Sequence, residues 1–112
     1  MKIYHNPRCT KSRETLQLIE NKGQQPTIVE YLQTPPTKTE LKEIISKLGI
    51  RPIELIRTNE ADFKENFKGK DLSDDEWIEA MVAYPRLIER PIVINGKKAV
   101  IGRPPEKVLE IL

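Results

Sequence analysis

The single cysteine of the sequence, Cys9, lies in a setting that favours a reactive thiolate. It sits within His5–Arg13, where a short β-like run gives way to a helix-like one. The unpaired amides at a helix start favour negative charge, and Arg8, Lys11 and Arg13 are close in sequence. A loop at a strand end is also at least partly solvated. These conditions lower the pKa of a thiol and make it nucleophilic. A lone cysteine is more often a small buried hydrophobic residue, but the flanking cations and the helix start favour a reactive thiol here.

Two polar residues near Cys9 extend this candidate site. Ser12 stands where a Cys-x-x-Cys pair would have its second thiol. Because serine cannot form a disulfide, an oxidised Cys9 needs an outside thiol, such as glutathione or a partner protein. Ser12 either offers its hydroxyl or amide to a bound anion or is an ordinary first-turn residue. His5, the only histidine, either supports the thiolate, orients Asn6 or simply ends a strand.

Three arginines stand at the ends of predicted segments and are candidate anion ligands. Taken singly, each can be an ordinary surface or capping residue. Arg90 and Arg103 both precede a proline, one before a predicted strand and one after a predicted hairpin. Loops of this kind gather at sheet ends, where sites are built. Since an arginine fork binds two oxygens of a tetrahedral oxyanion at once, Arg57, Arg90 and Arg103 together predict an oxyanion site.

Composition excludes several classes of protein. The 112 residues are 38% hydrophobic and 32% charged, which suits one domain of ordinary size. A net charge of +2 is too balanced for a general nucleic-acid binder. No run approaches the ~20 apolar residues of a membrane span, and the N-terminus does not read as a signal peptide. We therefore expect a cytoplasmic protein with neither nucleic acid nor membrane as a partner.

The Cys and His content also limits metal binding. One cysteine and one histidine cannot supply the three or four ligands of a nitrogen- and sulfur-based metal site. We find no nucleotide-binding glycine motif in the sequence either. The sequence thus predicts no metal and no bound cofactor.

The N-terminal segment predicts a βαβ unit that places Cys9 between a strand and a helix. Lys2–His5 is rich in β-formers and is closed by Asn6-Pro7. Thr10–Lys22 lacks proline and glycine and is followed by Gly23, as a helix would be. Thr27–Leu32 is rich in β-branched and aromatic residues. The two strands should be parallel, because a helix connects them.

The segment from about 36 to 85 differs and predicts an inserted helical subdomain. Thr37–Glu40 and Ser73–Glu76 are capping boxes, each followed by apolar residues at helical spacing. Pro52 can open a short helix through Arg57. We expect three aromatic residues to form the core of this insertion: Phe63, Phe67 and Trp77.

After Pro85 the pattern returns to strands. Ile92–Ile94 and Ala99–Ile101 flank Asn95-Gly96, a strong hairpin signal. Pro104-Pro105 can begin a last helix. The whole order predicts an α/β fold: one domain, residues 1–112, with a small mixed sheet, helices on both faces, and the helical insertion.

Several motifs, taken in chain order, resemble the glutaredoxin-linked arsenate reductase family. They are His5–Arg13, Tyr31-Leu32 with Pro35-Pro36, Leu55-Ile56-Arg57, Glu89–Val93 and Gly102-Arg103-Pro104. The resemblance extends over nearly the whole chain. It implies a thioredoxin-like, glutaredoxin-like fold with a mixed four-stranded sheet, helices on both faces and an inserted helical subdomain.

The resemblance also implies roles for individual residues. Cys9 matches the catalytic cysteine of the family, and His5 matches its thiolate-supporting histidine. Arg57, Arg90 and Arg103 match its oxyanion-binding arginines, while Pro91 matches the cis-proline position of thioredoxin-like folds. The implied reaction is the reduction of arsenate to arsenite through a covalent Cys9 intermediate. Glutathione is then the co-substrate and glutaredoxin the protein partner.

Two other functions stay open at this stage. Redox-responsive regulators that share this fold bind RNA polymerase, but they typically carry Cys-x-x-Cys, and Ser12 interrupts that motif here. A monothiol protein that exchanges glutathione disulfides would need Cys9 but not the arginines. Removal of Arg90 would therefore distinguish the last function from arsenate reduction.

Overall fold

The computed structural model describes the full chain, Met1–Leu112. The residues form two compact units: Met1–Thr34 together with Arg90–Leu112, and Pro35–Glu89. The second unit corresponds to the segment in which the sequence predicts an insertion over about residues 36–85. No helix in the chain has the length and apolar content needed to cross a bilayer.

The first unit is built on a four-stranded sheet. Its strands are β1 (Lys2–His5), β2 (Thr27–Glu30), β3 (Ile92–Asn95) and β4 (Lys98–Ile101), in the order β2-β1-β3-β4. β1 runs parallel to β2 and antiparallel to β3, and β3 runs antiparallel to β4. The mixed α/β sheet and the parallel βαβ pair are as predicted from the sequence.

Helix α1 (Thr10–Asn21) and a C-terminal 3₁₀-helix (Pro105–Ile111) pack against one face of this sheet. The core between them consists of buried apolar side chains: Ile3, Ile19, Val93, Val108 and Ile111. The buried residues of the last helix recur every third position, at Pro105, Val108 and Ile111. That spacing matches the three residues per turn of a 3₁₀-helix, so the predicted last helix is present but wound more tightly than an α-helix.

The hairpin between β3 and β4 is displaced by one residue from the predicted one. Asn95 belongs to β3 and pairs with Lys98, so the two-residue loop is Gly96-Lys97. Gly96 has φ of 64°, a conformation that glycine adopts at low cost. The Asn95 side-chain amide donates to the carbonyl oxygen of Ile111 over 2.6 Å, and this bond accounts for its place in the strand.

The second unit is helical, as predicted. It contains α2 (Lys38–Leu48), α3 (Ala61–Asn66) and α4 (Asp74–Ala83), with 3₁₀-turns at Pro52–Leu55 and Pro85–Leu87. Both predicted capping boxes are present, at the starts of α2 and α4. The turn at Pro52 is shorter than predicted, because Ile56 leaves it to form an antiparallel bridge with Ile88.

The aromatic residues of the helical unit form a cluster around α4. Trp77 is 5% exposed and stacks on Phe63 at 6.0 Å between ring centroids. Phe67 lies 6.0 Å from Trp77 and meets Tyr84 edge-on at 5.6 Å. Trp77 is therefore core as predicted, while the two phenylalanines are half-buried and cover it.

Candidate active site around Cys9

Cys9 stands at the junction between β1 and α1. It is the N-cap residue of α1, with extended backbone angles (φ −93°, ψ 122°). Its N–H donates to the carbonyl oxygen of Asn6 over 3.0 Å, and its own carbonyl accepts from the N–H of Arg13 over 3.0 Å. The turn that closes the strand therefore sets the sulfur beside the first turn of the helix.

The thiol is less exposed than the sequence predicts. Cys9 is only 9% exposed, although it follows a strand end. The loops that begin at Arg90 and Arg103 approach it from distant parts of the chain. Burial of this kind penalises the charged form, so it raises the thiol pKa unless polar groups oppose it.

Polar groups near the sulfur oppose the effect of burial, and together they favour the thiolate. Burial raises the pKa of Cys9. The backbone N–H of Ser12 and the guanidinium groups of Arg90 and Arg103 lower it by more, so the pKa lies below its ordinary value. The largest of these lowering influences is hydrogen bonding from the Ser12 backbone N–H, in the first turn of α1. The thiol is thus activated in a largely buried position.

The two arginines approach the sulfur from just before the start of β3 and just after the end of β4. Arg103 Nη1 lies 3.9 Å from Cys9 Sγ and donates to the carbonyl oxygen of Arg90 over 3.0 Å. Arg90 lowers the pKa of Cys9 both by hydrogen bonding and by its charge, and its Nε and Nη1 atoms are buried. The Arg90–Pro91 bond is cis, as the resemblance implies, and so is the Arg103–Pro104 bond.

The cations adjacent to Cys9 in sequence have other roles, which corrects the expectation from sequence. Arg13 donates through Nη1 to the carbonyl oxygen of Pro7 over 2.9 Å and through Nη2 to Thr10 Oγ1 over 3.3 Å. Arg8 and Lys11 are exposed. The cations that lower the pKa of Cys9 come instead from the distant loops. A helix directs successive side chains to different sides, so closeness in sequence did not identify them.

His5 and Ser12 form a buried pair beside the thiol. His5 Nδ1 lies 2.6 Å from Ser12 Oγ, and Ser12 Oγ also accepts from the Asn6 N–H over 3.0 Å. Burial, assisted by Arg13, lowers the pKa of His5, although Glu30 partly opposes this. In the neutral tautomer that carries its proton on Nε2, His5 accepts at Nδ1 from the Ser12 hydroxyl. His5 therefore acts on the residue whose amide faces the sulfur.

Arg57 lies in the helical unit, at the bridge between its two 3₁₀-turns. Its Nη1 is 3.1 Å from a carboxylate oxygen of Glu60, and its Nε is 4.0 Å from one of Glu89. Its backbone N–H donates to the carbonyl oxygen of Leu87 over 2.8 Å. Arg57 is thus held by its own unit, and its role as an anion ligand stays a prediction.

One residue that the sequence did not single out, Thr15, packs next to the site. Thr15, on α1, is fully buried, and its hydroxyl donates to the carbonyl oxygen of Lys11 over 2.8 Å. It also lies 3.4 Å from the carbonyl oxygen of Gly102, which precedes Arg103. A threonine on the same helical face as Ile19 was the available signal.

The arrangement suits nucleophilic attack on an oxyanion. A thiolate, a helix-start amide and two guanidinium groups converge within the first unit. Arginine forks and helix N-termini both bind tetrahedral anions. No three His, Cys, Asp or Glu side chains come together in a way that would hold a metal ion.

The chain is similar to known proteins over nearly its whole length. The family model described as "ArsC family" matches residues 4–111. A protein of Haemophilus influenzae named arsenate reductase is 55% identical over 98% of this chain and 97% of its own length. The Escherichia coli protein named "Uncharacterized protein YfgD" is 50% identical over 100% of this chain and 96% of its own.

A solved structure shows the same fold. The arsenate reductase from Vibrio cholerae superposes with a TM-score of 0.94 at 50% identity, covering 99% of this chain and 96% of its own. That agreement confirms the thioredoxin-like α/β fold implied by the resemblance. The chain therefore belongs to the ArsC family.

Proposed function

We propose that this protein reduces arsenate to arsenite, with Cys9 as covalent nucleophile and with glutathione and glutaredoxin as the reducing partners. The observation that carries the proposal is the approach of Arg90 and Arg103 to a thiol whose pKa is lowered. The full-length similarity to proteins named arsenate reductase supports arsenate as the substrate.

We expect the anion to bind to the cationic and N–H groups around Cys9. Arsenate is a tetrahedral oxyanion, and arginine forks bind such groups through two oxygens at once. Arg90 and Arg103 supply two forks near the sulfur, and we assign a third to Arg57. The amides at the start of α1, including that of Ser12, complete the anion site.

The first chemical step forms a bond between Cys9 and arsenic. The thiolate attacks As(V), and one arsenate oxygen takes up protons from solvent and leaves as water. The product is a covalent thioester of arsenate, in which arsenic is still As(V). The guanidinium groups stabilise the negative charge on the remaining oxygens during the step, and donors of this type contribute on the order of a hundredfold in rate.

The second step reduces arsenic. A glutathione thiolate attacks the sulfur of Cys9, the sulfur–arsenic bond breaks, and its electron pair stays on arsenic, which becomes As(III). Cys9 is left in a mixed disulfide with glutathione. Ser12 cannot resolve that disulfide, so a glutaredoxin thiol removes the glutathionyl group and Cys9 leaves as the thiolate. We expect the reaction in the cytoplasm, where the glutathione pool is kept reduced.

The test is an assay of arsenite formation with arsenate, glutathione, glutaredoxin and a glutathione-reducing system. We expect turnover by the wild-type protein, no turnover by Cys9→Ser, and a large loss in Arg103→Ala. Arg8→Ala is the matched control, because Arg8 is exposed next to Cys9 and is not among the groups that lower the pKa of Cys9. Absence of wild-type turnover, with arsenate also failing to protect Cys9 from alkylation, would refute the proposal.

The same variants separate arsenate reduction from monothiol disulfide exchange. A protein that only exchanges glutathione disulfides needs Cys9 and not the arginines as anion ligands. We expect Arg103→Ala to lose arsenate reduction while it still exchanges with a glutathionylated peptide. A wild-type protein that exchanges glutathione but never forms arsenite would favour the monothiol function. Recovery of RNA polymerase in a pull-down, without turnover, would favour the regulator.

A further inference from the structure

We propose that the contact of Gly102 with Thr15 and Pro91 is a positioning device that holds Arg103 at the Cys9 sulfur. Its consequence for arsenate rests on the proposed function, whereas its consequence for the thiol rests on geometry alone. Gly102 and Thr15 are positioning residues in this sense, since neither one lies at the sulfur itself.

Position 102 has no room for a side chain. Gly102 is buried, and its N–H donates to the carbonyl oxygen of Pro91 over 2.9 Å. A Cβ atom there would lie 2.5 Å from Thr15 Oγ1, 3.0 Å from Thr15 Cγ2 and 2.9 Å from Pro91 Cγ. These distances are shorter than van der Waals contact, so a side chain at this position requires a shift of the Gly102 segment relative to Thr15 and Pro91, and we infer that the segment moves away from α1.

Thr15 provides the helix side of the contact. It is fully buried, and its hydroxyl donates to the carbonyl oxygen of Lys11 within α1. The Gly102 carbonyl oxygen lies 3.4 Å from that hydroxyl. Since Cys9 is the N-cap of the same helix, the close packing of Gly102 on Thr15 places the end of β4 against the element that carries the sulfur.

Arg103 follows Gly102 directly, so its position depends on how closely the Gly102 segment packs against α1. Its N–H donates to the carbonyl oxygen of Ile101 over 2.8 Å, and its Nη1 donates to the carbonyl oxygen of Arg90. The distance of 3.9 Å from Nη1 to Cys9 Sγ is long for a hydrogen bond. A displacement of a few tenths of an ångström at Gly102 is therefore enough to weaken the contact with the sulfur.

The test measures the pH dependence of Cys9 alkylation by iodoacetamide, which needs no arsenate. In Gly102→Ala we expect the inflection to rise by up to about one pH unit, because Arg103 moves away from the thiolate. In the double variant Gly102→Ala/Thr15→Ala the two Thr15 atoms nearest the added methyl are gone, so we expect most of the shift to be reversed. Arg103→Ala sets the upper limit of the effect.

A destabilised control distinguishes positioning from general loosening of the fold. Val108 is fully buried in the core behind α1, so Val108→Ala should lower the melting temperature without moving the inflection. An unchanged inflection in Gly102→Ala would overturn the inference. So would an equal shift in Val108→Ala.

The double variant also decides the case in which Gly102→Ala does not fold. If adding Thr15→Ala to Gly102→Ala restores both folding and a low inflection, then close packing on Thr15 is the reason that position 102 requires glycine. If the double variant folds with an inflection as high as that of Arg103→Ala, the inference fails. Arsenite formation is measured separately, and we expect Gly102→Ala to lose roughly 10- to 100-fold in kcat/KM. A wild-type protein without turnover would refute the proposed function and leave the alkylation result to stand.

Discussion

Arg103 Nη1 lies 3.9 Å from Cys9 Sγ, although 94 residues separate the two in the chain. The cation is brought to the sulfur by the end of β4, and the sulfur is presented by the start of α1. The stabilisation of the thiolate is therefore a property of the folded first unit, and the unfolded chain loses it.

The first prediction concerns which cations set the thiol pKa. A free thiol has a pKa of about 8.5. We expect the pH profile of Cys9 alkylation to show an inflection below that value, and Arg103→Ala to raise the inflection. Arg8→Ala should leave the inflection unchanged, because Arg8 is adjacent in sequence but is not among the groups that lower the pKa of Cys9. Rates of iodoacetamide reaction between pH 5 and 10 give the answer. A larger effect from Arg8 than from Arg103 would contradict this assignment.

The second prediction links the same pKa to stability. The pKa of Cys9 is lower in the folded than in the unfolded state, so the thiolate stabilises the fold above the unfolded pKa. That contribution is lost as pH falls through the folded pKa. Urea unfolding of wild-type and Cys9→Ser proteins under reducing conditions should therefore diverge as pH rises. The difference is about 1.4 kcal/mol per unit of separation between the two pKa values. If the free energies of unfolding of the two proteins changed in parallel with pH, this prediction would be refuted.

The third prediction separates the hydroxyl of Ser12 from its amide. Ser12→Ala removes the hydrogen-bond partner of the Asn6 N–H and of His5 Nδ1. The Ser12 side chain is fully buried, so water cannot easily replace its hydroxyl. We expect the free energy of unfolding to fall by about 1–3 kcal/mol. The inflection of Cys9 alkylation should stay low, because the Ser12 amide that faces the sulfur remains.

Ser46→Ala is the control for this comparison. Ser46 is exposed on α2, so its substitution should change stability by only a few tenths of a kcal/mol. If Ser12→Ala unfolds at the same urea concentration as the wild type, the hydroxyl has no structural role. If it raises the inflection to that of a free thiol, the hydroxyl, and not the amide, supports the thiolate.

The fourth prediction concerns Arg57. Arg57 is not among the groups that lower the pKa of Cys9, and it is held by Glu60 and Glu89 in its own unit. As an anion ligand, it should nevertheless contribute to arsenate binding. Arg57→Ala should therefore lower kcat/KM for arsenate roughly tenfold or more while leaving the alkylation profile unchanged.

Arg51→Ala is the matched control for Arg57. Arg51 is an exposed arginine of the same unit, paired with Asp74 over 3.0 Å. Its removal should change neither arsenate turnover nor alkylation. Equal losses in the two variants would mean that the helical unit is merely sensitive to lost ion pairs, and Arg57 would then have no place in the anion site.

Local signals in the sequence predicted most of the elements. The capping boxes at Thr37 and Ser73 and the helical spacing behind them identified α2 and α4, because these interactions lie within one turn of chain. Errors occurred where a distant contact decided the local structure. Asn95 left the predicted turn for a bond to the Ile111 carbonyl, and Ile56 left the predicted helix for a bridge with Ile88.

The sequence by itself determined that a single thiol follows the first strand and opens the first helix, without a second cysteine to resolve it. Only the tertiary structure decided how that thiol is charged. Burial reduced its exposure to 9%. The groups that together outweigh this burial are the Ser12 backbone N–H and two cations, Arg90 and Arg103, that lie just before β3 and just after β4. The physical reason is that a pKa depends on distances in space between charges and dipoles, and those distances are set by how the sheet and α1 pack together.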